Sequence, residues 1–150
     1  MAHLKIGEKE YKADVTFEFA EKAVERYQQK DEKGNVQADG VQNIYMNILD
    51  RKTLYLAYFW DCALAYIEGQ PSLKQIKTAL KEAAGDNQDY EPLFKEAFQE
   101  LDNAGFFKQE IKGIWKMVEQ YTKMAETEQE QKMAKDEIDR MKKARKELNS

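Results

Sequence analysis

The sequence predicts a mainly α-helical protein, opened by a small N-terminal β-hairpin and closed by a charged C-terminal helix or tail. Three observations carry that expectation. The stretch Leu54 to Ile67, LYLAYFWDCALAYI, contains one residue outside the hydrophobic set, Asp61. At 100° per residue its side chains point all round, so a helix here must be wrapped by its own domain or by other copies of the chain. Most of the remaining apolar residues recur at helical spacing between isolated glycines and prolines, and only Leu4 to Val15 alternates with a period of two.

Taken in order, Leu4, Ile6, Tyr11 and Val15 form one face of a hairpin turning at Gly7-Glu8. A lone two-stranded hairpin is marginal in water, so it must lean on a helix or on a second subunit. Phe17, Ala20, Ala23, Val24 and Tyr27 follow as a helical face, capped by Asp14 or Thr16. Lys30 to Gly40 reads as a polar loop with a turn at Gly34-Asn35. Asp39 and Gln42 then open a short helix carrying Ile44, Met46, Ile48 and Leu49. The central helix is expected to run until Gly69-Gln70-Pro71. Ser72 and Gln75 make a capping box ahead of Leu73, Ile76, Ala79, Leu80 and Ala83. Pro92 suits a first helical turn, followed by Leu93, Phe94, Ala97, Phe98 and Leu101, with Gly105 as the next stop. A further helix carries Phe107, Ile111, Ile114, Trp115, Val118 and Tyr121.

The composition changes after Met124, which divides the chain into a helical body at 1–124 and a charged tail at 125–150. Ala134, Ile138, Met141 and Leu148 thread a heptad seam that Arg145 interrupts, and acids precede bases along the segment. So few apolar groups predict a tail that is partly disordered or helical, and that orders on a partner.

The totals exclude several functions. With 35% charged residues and a formal net charge of −4, the chain lacks the positive field that non-specific nucleic-acid binding requires. Its longest apolar stretch is shorter than the roughly 20 residues a membrane crossing needs. No signal peptide is readable at MAHLKIGEKEYK, and the lone Cys62 cannot form an internal disulfide, so a reducing, cytoplasmic setting is expected. Catalytic, cofactor and metal sites are not expected. His3 is the sole histidine and lies far in sequence from Cys62, which reads as a small buried hydrophobe. The loop with Asp86, Asp89 and Glu91 lacks the glycine and remaining ligands of a calcium site. Asp61 is expected at the edge of its helix, partly solvated or meeting Lys or Arg; the sharper alternative is a charge pair across a subunit interface.

The segments IGEKEYKADVTFEFAEKAVERY, LDRKTLYLAYFWDCALAYIEGQPSLKQIKTAL and LFKEAFQELDNAGFFKQEIKGIWKMVEQY, followed by a charged tail, resemble the tail assembly chaperones of long-tailed phages and prophages of Gram-positive bacteria. The resemblance implies a non-enzymatic helical protein that forms a homo-oligomeric ring or spiral. It would hold the tape measure protein soluble in the host cytoplasm while tube subunits polymerise around it, and would be missing from the mature virion. It also implies a longer form, made by a −1 ribosomal frameshift, that recruits the tail tube protein; Lys142-Lys143 is compatible with a slippery A-rich heptamer. The alternative is a bacterial helical adaptor or regulator that binds one folded partner. In either case Leu4 and Ile6 of the hairpin, Trp115, and Ile138, Met141 and Leu148 of the tail are the candidate client-binding or oligomer residues.

Overall fold

Period-two alternation at the N-terminus produces β1 (His3–Ile6) and β2 (Lys9–Lys12), paired antiparallel with Leu4 opposite Tyr11. The computed structural model describes residues 2–150. Gly7 takes the turn at φ 64°, a left-handed position that costs glycine nothing. Leu4 and Ile6 are buried. The chain leaves the hairpin through Asp14, whose N–H donates to the Ala63 carbonyl at 2.9 Å.

Helix α1 (Phe17–Arg26) is turned away from the face its sequence suggests. Phe19 and Ala23 are buried, whereas Phe17 is 68% exposed and Val24 also faces water. Thr16 stands at the N-cap without a capping side-chain bond; its hydroxyl donates to Asp14 instead. The expected polar loop is partly a second hairpin, β3 (Gln29–Lys30) and β4 (Val36–Ala38), turning at Gly34 with Asp31 accepting the Lys33 and Asn35 amides. Helix α2 (Gly40–Leu49) begins at Asp39, whose carboxylate accepts the Gln42 amide as the sequence predicts. Gly40 meets α1 directly: a Cβ there would lie 1.7 Å from the Ala23 carbonyl oxygen.

The aromatic stretch forms α3 (Leu54–Ala63), which ends earlier than expected and reaches Gly69 through turns. It packs on α1 and α2, and on the two helices that follow it, α4 (Leu73–Ala84) and α5 (Glu91–Asp102). One chain therefore buries Leu56, Phe59, Trp60, Cys62 and Leu64 without a second copy. Its outer side is not dry, since Leu54 and Tyr66 are exposed. The Ser72–Gln75 capping box is reciprocal, and Gly85 ends α4 at φ 75°. Ile76 and Ala79 are buried on α4, which packs on β1; this supplies the helix the N-terminal hairpin needs. Pro92 lies in the first turn of α5, and all five of its expected apolar residues are buried.

A 3₁₀ turn at Gly105–Phe107 leads into α6 (Lys108–Met124), and α7 (Glu128–Leu148) folds back with Thr127 capping its start. The break at residue 125 thus separates two helices, but α7 is docked on α2, α5 and α6. Ile138, Met141, Ala144 and Leu148 are buried there. Arg145, which broke the expected seam, makes a paired contact with Asp102 at 3.0 Å and lies 4.8 Å from the centre of the Trp115 ring. Seven α-helices and two small hairpins make up the described residues.

Candidate partner-binding surface

The buried polar groups hold the helices together and leave no reactive centre among them. Asp61 is 3% exposed, so it is buried and not partly solvated, but it does meet a lysine, the other arrangement expected of it. It accepts Lys22 Nζ at 2.9 Å, the Tyr27 hydroxyl and Gln70 Nε2, so its charge is paired within one chain. Burial, then the Asp61 carboxylate, pushes the Tyr27 hydroxyl well above its ordinary range. Burial and the neighbouring Asp61 likewise raise the Cys62 thiol, keeping it protonated and inert. His3 faces Glu10 at 3.8 Å on the surface. Among the described residues no three His, Cys, Asp or Glu side chains are grouped to hold a metal ion.

A second network fixes α7. Trp115 Nε1 donates to the Tyr45 hydroxyl at 2.8 Å, and that hydroxyl donates to Asp102 at 2.7 Å. Asp102, at the end of α5, also accepts Arg145 and Asn149, so side chains from α2, α7 and the residue after α7 converge on its carboxylate, and Trp115 of α6 joins through Tyr45. Burial and then the Asp102 hydrogen bond raise the Tyr45 hydroxyl. Gln99 ties the end of α7 from α5, donating to the Leu148 carbonyl at 2.9 Å.

These contacts place the six residues expected to meet a client or a second copy. Leu4, Ile6, Trp115, Ile138, Met141 and Leu148 are all buried within the protomer. Trp115 is a core residue in this conformation, with its indole N–H satisfied internally. Ile138 and Met141 do reach one wall of an open cavity of about 400 Å³ between α2, α6 and α7. Leu4 and Ile6 lie elsewhere, beneath the hairpin.

The side chains that do face outward are different ones. Met117, Tyr121 and Met124 follow one another at i, i+4 and i+7 on α6, exposed by 42%, 58% and 74%. Met133 on α7 is exposed as well, and Met46 on α2 lines the same cavity. The sequence places Tyr121 among the apolar residues of this helix and leaves Met117 and Met124 without a position. The signal was present in their spacing, which continues the stripe of Ile114 past the last residue with a helix to pack on.

Among the described residues no helix is long and apolar enough to cross a membrane. The molecule is a helical protein with structural polar networks, a buried thiol and an open apolar surface. The model of the phage tail assembly chaperone protein family, TAC, matches residues 3–116, and the chain belongs to that family. It is accordingly a non-enzymatic chaperone of phage tail assembly. No curated protein and no solved structure matches the chain.

Proposed function

We propose that this chaperone binds the tape measure protein, keeps it soluble and promotes assembly of the tail tube around it. What carries the reading is the family match over about three quarters of the chain. The exposed methionines and Tyr121 are consistent with it, because flexible thioether side chains adapt to many apolar partners. Acting in the host cytoplasm, the chain would work as a homo-oligomeric ring or spiral. A frameshifted longer form would bring the tail tube protein to it, and the host group would be Gram-positive bacteria.

The test is co-expression of the chain with the tape measure protein encoded beside it. Soluble tape measure protein that co-purifies with the chain is the expected result. Tape measure protein equally soluble without the chain, or insoluble with it, overturns the proposal.

A further inference from the structure

The apolar cavity between α2, α6 and α7 is one end of a longer trough. A neighbouring cavity of about 250 Å³ shares Gln42, Ile114 and Met117 with it and ends at two acids, Asp39 and Glu110. On α6 the residues Glu110, Ile114, Met117, Tyr121 and Met124 fall at i, i+4, i+7, i+11 and i+14, on one face of the helix. Met46, Met117 and Met141 line this trough, and Met124 and Met133 are exposed on the two helices, α6 and α7, that form its walls.

The charge at the Asp39–Glu110 end is one-sided. Burial and the Asp39 carboxylate both raise the Glu110 carboxyl. At 100° per residue, Lys112, Lys116 and Lys123 of the same helix point to the opposite side, and Lys108 lies well off the stripe. Among the described residues no cation is ion-paired with Asp39 or Glu110. The other acid that lines the trough, Glu137, is already engaged by Arg140. The trough is therefore apolar along its length and negative where it ends.

We propose that this trough is the docking groove for a cationic amphipathic helix. The occupant lays apolar side chains at i, i+3 or i+4, and i+7 against Met46, Met117 and Tyr121, and places a Lys or Arg between Asp39 and Glu110. A third helix beside two antiparallel ones is an ordinary packing solution, and methionine walls let it accept varied sequences. Charge complementarity selects the register and direction of the bound helix. The proposal rests on the client-binding role above and names its surface.

The probe is a designed amphipathic peptide of about 20 residues, long enough to sustain a helix, with a leucine stripe and lysines at one end. A second peptide carries glutamates in place of the lysines. Binding to the full chain is read from the methyl resonances of ¹³C-labelled methionines and by calorimetry. The lysine peptide should shift Met46, Met117 and Met141 and bind at least about tenfold tighter than the glutamate peptide. Glu110→Lys should abolish that preference, because the new lysine offsets the Asp39 that remains, and Met117→Gln should weaken both peptides, with melting temperatures unchanged because both sites are exposed. Binding that ignores both substitutions overturns the proposal. So does the finding, by light scattering, that a second copy of the chain fills the groove and excludes the peptides. Co-expression separates this inference from the broader one: if the native chain solubilises the tape measure protein and both variants do so equally, the groove is wrong and the function stands. If the native chain fails there but binds the lysine peptide in the expected manner, the groove stands and the named client is wrong.

Discussion

Leu148→Ala tests whether the C-terminal helix is part of the folded body. Leu148 is the last residue of α7, has no exposed surface, and its carbonyl is held by Gln99. Truncation to alanine removes three carbons, about 2.4 kcal/mol of transfer free energy at ~0.8 kcal/mol per methylene. The cavity left behind raises the cost to about 3 kcal/mol, within the range measured for buried leucines. The loss cannot exceed the free energy with which α7 docks, since beyond that the helix would simply detach. For a chain of this length, with ~2–4 °C per kcal/mol, the melting temperature should fall by about 6–12 °C. Circular dichroism gives the melt, and amide exchange across α7 shows whether the loss is local or global. A shift below about 2 °C, together with unprotected α7 amides in the native chain, would refute the docking argument.

Three further outcomes are expected. Gly40→Ala should destabilise by about 3 kcal/mol or more, because its Cβ would collide with the Ala23 carbonyl and force α1 and α2 apart; Gly113→Ala, where nothing lies within 4 Å of the new atom, should instead stabilise by about 0.5–1 kcal/mol. Thermal melts should move in opposite directions for the two. Cys62 should react with a thiol reagent only as fast as the chain unfolds, and rapidly in denaturant; prompt native-state labelling would show that α3 opens freely. Arg51 holds the Glu91 carboxyl below its usual range, so this pair stabilises the fold above the unfolded-state pKa and loses its contribution as pH falls through the lower folded value. The melting difference between the native chain and Glu91→Gln should be small, as both side chains are partly exposed, and should shrink from pH 7 to about pH 3.

How much could be read beforehand varied with the kind of signal. Helix α5 was legible residue by residue, because Leu93, Phe94, Ala97, Phe98 and Leu101 make an unbroken stripe behind Pro92. The Ser72–Gln75 box was equally clear, being a local contact that needs no tertiary information. In α1 the sequence offers two apolar stripes, and the one carrying Phe17 and Val24 was the wrong choice. Burial of Phe19 against Phe59 and Phe107 decided it, and those partners are remote in sequence. The β3–β4 hairpin was hidden because Gln29, Lys30 and Gln37 carry no alternating apolar signal. Arg145 was read as a defect in a seam, yet Asp102 and Trp115 make it an anchor. The networks around Asp61 and Asp102 each join residues tens of positions apart, which periodicity cannot reveal. For the groove, the methionines were visible and their common location was not.

The placement of α7 also decides between two ways a helical client could be held. One is replacement: the client takes the seat of α7 and exposes Ile138, Met141 and Leu148 to the solvent or to itself. Burying three such side chains is worth about 5–9 kcal/mol at ~1.5–3 each, before the contacts of Arg145 and Asn149 with Asp102 are counted. A micromolar complex supplies about 8 kcal/mol, so replacement would consume the affinity of an ordinary client. The other way is addition: the client lies beside α7, on Met46, Met117 and Tyr121, and displaces only water. Addition keeps the buried seam intact and still uses the outer edges of Ile138 and Met141. On these magnitudes addition is favoured, and in the proposed groove α7 would be a wall as well as a member of the core.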